Sequence, residues 1–321
     1  MSGQSGQRRD GTWLVALGAA IWGSDALLRL GLAHRLDAAT IVLAEHVVLV
    51  LVTVPLVLHA VRAARRSLRA PEWLAMLVIG AGASAAATVL FTAAFTSAGP
   101  ITPLALQKLQ PVFAVLAARL VLGERLTPRY GVFFAAAAAG GWLLTFPHPL
   151  HVEISAARGA LLAVSAAALW AAGTVLGRVV TARLDYRDVT VLRFWIGLPA
   201  CVVLALALRA PLLPAAADWP TIVALALLPG LLALLIYYRG LRSTPAARAT
   251  IAELAFPVTA ALVGTLVLHA PLSATQWAGL ALVSLAVVAL ARHERAARRP
   301  AVRPPDEPAP DDRRPAAAAA R

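Results

Sequence analysis

Apolar residues run along this chain in stretches of about 20, each closed by charged residues or by Pro and Gly. That is the length an α-helix needs to cross a hydrocarbon core of about 30 Å. The stretches fall at 13–33, 38–59, 73–96, 101–122, 130–146, 158–181, 189–208, 219–242, 246–268 and 274–291. The pattern predicts an all-α integral membrane protein of ten transmembrane helices. Residues 1–12 precede the first span, 147–157 link two groups of five, and 292–321 follow the last. The final segment is rich in Arg, Pro, Ala and Asp without apolar periodicity, so it is expected to be a disordered tail.

The fourth and ninth stretches are related. Residues 101–122 recur 146 positions later as 247–268, with Pro111/Pro257, Val112/Val258, Ala114/Ala260, Leu116/Leu262, Val121/Val267 and Leu122/Leu268 identical. AAIWGS (Ala19 to Ser24) recurs as AALWAA (Ala167 to Ala172) at an offset of 148, and Phe91 pairs with Tyr237 at 146. The halves are therefore 13–146 and 158–291. Five is an odd number of crossings, so two copies of a five-helix unit would lie inverted in the bilayer around a central cavity.

Composition agrees with the span count. The chain is 60 % hydrophobic and 14 % charged, with mean hydropathy +0.75. Its net charge of +13 is carried by short loops and the tail, which fits lipid headgroups and argues against nucleic acid as a partner. Twenty-one of the 29 Lys and Arg lie in the N-terminus, in the tail, and within or at the span ends beside the even-numbered connections, against Arg35, Arg158 and Arg209 on the other side. Both termini are expected in the cytoplasm. The Ala- and Arg-heavy composition suggests a GC-rich bacterial genome, hence a bacterial plasma membrane. The first stretch has the basic flank of a signal peptide but is too long for one and contains Asp25 and Arg29, so it is read as a retained span. Trp13, Trp73, Trp219 and Trp277 open spans, as interfacial anchors do. The single cysteine, Cys201, permits no intramolecular disulfide.

A charge at membrane depth costs roughly 2.5–3.5 kcal/mol on insertion scales, so each needs a partner or water. At about 1.5 Å per residue, Arg29, Glu45 and Lys108 lie some 6–11 Å from the outer ends of their spans. Arg193, Tyr238 and Glu253, with Arg178, lie as deep from the inner side, forming a second layer. Asp25 and Arg29, spaced i and i+4, form either a mutually neutralised intrahelical pair or ligands on the substrate or proton pathway. Glu45 and Lys108 form either a structural salt bridge or a pair opened by substrate or a proton, and Glu253 with Arg193 repeats that choice. Lys108 is the only lysine beside 28 arginines. Gln107 and Gln110 would orient a substrate or join helices. Trp22 and Trp170, deep and repeat-equivalent, are candidate cavity walls, or packed or lipid-facing indoles. His46 beside Glu45 would relay protons, but adjacent helix positions point about 100° apart, so it reads as a packed or interfacial histidine. Pro55, Pro111, Pro199 and Pro257 interrupt corresponding spans of the two halves.

AAIWG in the first span, QKLQP followed by Leu122-Gly123-Glu124, and YYRGL followed by AELAFPV together resemble the EamA-like transporters of the drug/metabolite transporter superfamily. The resemblance covers residues 12–291 and departs at Leu268-His269-Ala270, where a second Leu-Gly-Glu is expected. It implies two five-helix repeats, a cavity lined by spans one to four and six to nine, and a small-molecule substrate moved by alternating access. The expected function is secondary-active transport, in the export direction, of a small polar or amphipathic metabolite, amino-acid-like or drug-like, driven by a proton gradient, by solute exchange or by the substrate's own gradient, with Glu45 and Glu253 as the candidate proton carriers and Lys108 and Arg193 as their partners or as carboxylate ligands. The alternatives are an exchanger of anionic, phosphorylated or nucleotide-linked solutes and, more remotely, a lipid-modifying membrane enzyme. No Walker A loop, HExxH or GxSxG is present. His148 and His151 lack a third ligand nearby, so neither a metal nor a cofactor is expected.

Overall fold

The computed structural model describes residues 11–123, 129–241, 252–253 and 255–297, the side chains of Tyr238, Leu241, Glu294, Arg295 and Ala297 excepted. Among them there is helix and no strand. In chain order the helices are α1 (Thr12–Ala33), α2 (Ala38–Ser67), α3 (Ala70–Ala98), α4 (Thr102–Leu122), α5 (Tyr130–Thr145), α6 (Ile154–Thr181), α7 (Tyr186–Ala207), α8 (Ala216–Tyr237), α9 (Ala255–Val267) and α10 (Ala274–Ala297). Eight of these are long and apolar enough to cross a membrane, while α5 and α9 are apolar but shorter. The protein is a multi-pass integral membrane protein.

Hydropathy located the helices and misjudged some ends. The second helix runs on to Ser67 because its last turn, with Arg65 and Arg66, is polar yet still helical. Similarly, α10 continues to Ala297, past the expected end of the last span, and α6 starts at Ile154, inside the expected linker. Residues 1–10 and 298–321, and with them most of both expected terminal segments, lie outside the described residues.

Several helices depart from α geometry within their length. The first turns at Ser24–Asp25. In α4 the three residues Gln107–Leu109 wind as a 3-10 turn immediately before Pro111. Proline has no N–H to donate and its ring crowds the preceding turn, so the change of winding falls where the ordinary ladder would be broken anyway. Val78–Ala86 of α3 and Ala226–Leu232 of α8 wind as wider π turns, as does Val263–Val267 of α9. The first two lie at nearly equivalent repeat positions.

Small residues set the tightest crossings. A Cβ on Gly279 of α10 would meet the backbone of Gly140 and Leu144 of α5, and one on Gly80 of α3 would meet Ile196 of α7. Helix α1 packs on α8 and α9, α6 on α3 and α4, α2 on α7, and α5 on α10. Leu51, Leu56 and Leu58 of α2 are exposed, as lipid-facing positions are. The central apolar cluster joins Ala19, Ile41, Phe91, Phe95, Leu104, Ala166, Ile222 and Phe256, and the buried charges adjoin it.

Candidate functional site

The turn in α1 places Asp25 one helical turn before Arg29. Arg29 Nε and Nη2 donate to the two Asp25 carboxylate oxygens at 2.6 and 3.0 Å, the pair expected from the i, i+4 spacing. The same guanidinium also engages Glu45 of α2 through Nη2 and Nη1, both at 3.1 Å. Its Nη1 further donates to Thr92 Oγ1 of α3 at 2.7 Å. Asp25, Arg29, Glu45 and Thr92 are all at most 7 % exposed. Planar and five-donor, a guanidinium suits two carboxylates and a hydroxyl at once, and Phe91 lies beneath it at 5.7 Å.

This geometry corrects the expected Glu45–Lys108 pair: Glu45 is bound to Arg29. Counting residues from a helix end gives depth but not direction around the axis, and the two helices present different faces at one depth. Thr92 was missed because no motif marks a threonine in an apolar run.

The Lys108 ammonium instead lies 3.9 Å from the centre of the Phe256 ring on α9, a cation–π contact. Glu253, whose carbonyl oxygen accepts the Phe256 backbone N–H at 3.1 Å, is the acid whose charge acts on Lys108. These two were expected in separate outer and inner layers. Each lies about 10 Å from its own surface, so in a core of about 30 Å a lysine and a glutamate side chain span much of the remaining gap.

Glu253 accepts a short hydrogen bond from the Tyr237 hydroxyl, at 2.5 Å. Sequence reading selected Tyr238, whose side chain lies outside the described residues, although the match of Tyr237 with Phe91 was the available signal. The Tyr237 ring packs on Trp22 with centroids 5.0 Å apart, and Trp22 Nε1 donates to the Pro229 carbonyl in the π turn of α8 at 2.8 Å. Trp170 packs on Phe91 at 5.1 Å. The two tryptophans expected to be equivalent thus each meet an aromatic ring at the equivalent position of the other half, and both border the cluster containing Phe256.

The remaining candidates are more dispersed. Gln110 donates to Thr174 of α6 at 3.2 Å, a helix-to-helix bond, and Gln107 is partly buried in the 3-10 turn. Arg193 of α7 lies beside Phe194 at 5.8 Å, and its charge acts on His46. His46 is buried, with ring nitrogens 2.9 Å from the Val42 carbonyl oxygen and 3.1 Å from Ser84 Oγ. Arg119 and Arg178 are exposed. A cavity of about 350 Å³ opens elsewhere, between α4, α5 and α6, with apolar walls that include Leu109, Phe113, Phe134 and Trp142.

The family model of the EamA-like transporter family matches residues 10–146 and again 157–292. A curated relative, the riboflavin transporter ImpX of Fusobacterium nucleatum subsp. nucleatum, is 28 % identical over 301 residues, 88 % of this chain and 97 % of that protein. One solved crystal structure superposes with a TM-score of 0.57 at 21 % identity, over 91 % of this chain and all of that one, a likeness of fold alone. Family and relative are transporters, not enzymes, and the two matched segments coincide with the two halves of the repeat. The chain belongs to the EamA-like transporter family.

Proposed function

We propose that this chain carries a small amphipathic metabolite with a planar aromatic ring across the membrane, outward, by alternating access between two inverted five-helix repeats. The single observation that carries the reading is the pair of matched ring contacts, Trp22 on Tyr237 and Trp170 on Phe91. They flank the cluster containing Phe256, on whose ring the Lys108 ammonium lies, and Tyr237 holds Glu253 by its hydroxyl. Aromatic faces select planar rings, while an ammonium and a carboxylate select the polar groups on them. The relative named as a riboflavin transporter makes riboflavin the first solute to test.

The packing supports two related halves, which five crossings each, an odd number, would leave inverted. Replacing each helix by the one five places along exchanges α1 on α8 with α6 on α3 and α1 on α9 with α6 on α4, and leaves α2 on α7 and α5 on α10 unchanged. Positive charge concentrated on one side supports both termini in the cytoplasm of a bacterial cell.

Glu253 is the proposed proton carrier. It accepts the hydrogen of the Tyr237 hydroxyl, and its charge acts on Lys108, so taking up a proton weakens both interactions at once. Glu45 is assigned the static role, because every N–H of its partner Arg29 is already engaged. Proteoliposomes holding the purified protein should show saturable riboflavin flux that responds to an imposed pH gradient, and Glu253→Gln should abolish that response. Absence of riboflavin flux overturns the solute. Flux in the wild type that ignores the gradient overturns proton coupling.

A further inference from the structure

Among the described residues three side-chain ion pairs outside the central cluster cross between the halves: His59 Nδ1 with Asp188 Oδ1 at 3.1 Å, which has no counterpart in the repeat, and two that do, one on each face. On one face Arg35, in the α1–α2 connection, donates from Nη2 to Asp218 Oδ1 at the start of α8, at 2.9 Å. On the other, Arg183 in the α6–α7 connection donates from Nε to Glu72 Oε1 at the start of α3, at 3.1 Å. The positions are related by the repeat. Arg35 and Arg183 both begin Arg-Leu-Asp, 148 residues apart, and Glu72 and Asp218 each precede a tryptophan, 146 residues apart. The offsets are those of the spans themselves.

We infer that Arg35–Asp218 and Arg183–Glu72 are the two latches of the transport cycle, one closing the pathway on each face, and that opening a face requires breaking its own latch alone. Each bridge crosses between halves, joining a connection in one repeat to the first turn of a helix in the other. Both acids are 8 % exposed, so their partners are fixed by desolvation, whereas the Arg35 and Arg183 side chains are 59 % and 38 % exposed and can leave for water. A buried acid with an exposed, long-armed partner holds while closed and releases without burying a new charge.

Equivalence by the repeat matters to the cycle. A transporter that alternates must keep its two closed faces near in free energy, or one face stays open too rarely for turnover. Two chemically matched bridges, one Arg with Asp and the other with Glu, provide that balance from a duplicated sequence. The inference rests on the alternating-access reading but not on the identity of the solute.

The test uses spin-label pairs in a Cys201→Ala background, at His34 and Ala217 on the first face and at Ala182 and Pro71 on the second. These are exposed positions beside each bridge and are themselves related by the two offsets. With labels introduced through cysteine at those sites in reconstituted protein, Asp218→Asn should raise the population with a lengthened distance on the first face about fivefold and leave the second unchanged. Glu72→Gln should do the converse. The swap Arg35→Asp with Asp218→Arg should restore the wild-type distribution on the first face. Unchanged distances in both single variants, or a widening of both faces by either one, would overturn the inference. Faces that open one at a time in protein that moves no riboflavin would support the latches and count against the solute.

Discussion

Arg29 is held between two buried carboxylates, and its removal has a calculable cost. At about 4 Å and an effective dielectric near 20, each charge pair attracts by about 4 kcal/mol, most of which is offset by the loss of hydration on burial. The balance changes when one partner is deleted: Asp25 and Glu45, at 7 % and 5 % exposure, would keep their desolvation and lose their counterion. Arg29→Met should therefore destabilise by about 3–5 kcal/mol, a fall in melting temperature on the order of 10 °C. The variant Arg29→Lys retains charge but cannot reach both acids and Thr92 with one planar fork, so it should lie between. Asp25→Asn combined with Arg29→Met and Glu45→Gln removes every charge and should recover most of the loss. The assay is thermal unfolding in detergent, followed by monodispersity on size exclusion. Wild-type stability in Arg29→Met, or a triple variant no better than the single one, would refute the account.

Tyr237→Phe keeps the ring on Trp22 and removes only the donor to Glu253; it should shift the pH profile of transport while costing about 1–2 kcal/mol of stability or less, read by flux across a pH series and by melting. Trp22→Phe loses the bond to the Pro229 carbonyl and should cost about 1 kcal/mol, with weaker solute binding seen as a raised KM. Gly279→Leu would drive a side chain into the α5 backbone at Gly140 and Leu144. Low yield and a destabilisation of about 1–3 kcal/mol or more are expected from melting. His269 has a positive φ of 51°, at the position equivalent to Gly123, whose φ is 67°; His269→Gly should stabilise by about 1 kcal/mol, measured the same way.

The helices were legible because hydropathy is a direct readout of which residues meet lipid, and the duplication was legible because its prolines and tryptophans survived. The π turns of α3 and α8 were not. Their residues are as apolar as their neighbours, and a change of winding leaves no trace in hydropathy. At the site, Asp25 with Arg29 was readable from a local spacing, whereas Glu45 with Arg29 needed the azimuth at which α2 meets α1. Lys108 drew attention by its rarity, but its seat on Phe256 depends on how α4 unwinds before Pro111. His269 illustrates the opposite lesson. It registered as a departure from Leu-Gly-Glu, yet the backbone there repeats the left-handed turn of Gly123 with the wrong residue for it.

The two halves keep the same aromatic frame and spend it differently. In the first, the ring at the repeated position is Phe91, and the charge beside it is the guanidinium of Arg29, held by two acids and a hydroxyl at once. In the second, the ring is Tyr237, and its added hydroxyl reaches Glu253, a single acid that also acts on Lys108. A group whose every donor is engaged resists rearrangement, since moving it breaks several buried bonds together. An acid held by one phenol hydroxyl has fewer bonds to lose. On the proposed cycle, the divergence of duplicated positions would separate a fixed element near α1, α2 and α3 from a movable one near α8 and α9. A site that must both hold its fold and change its state needs one of each.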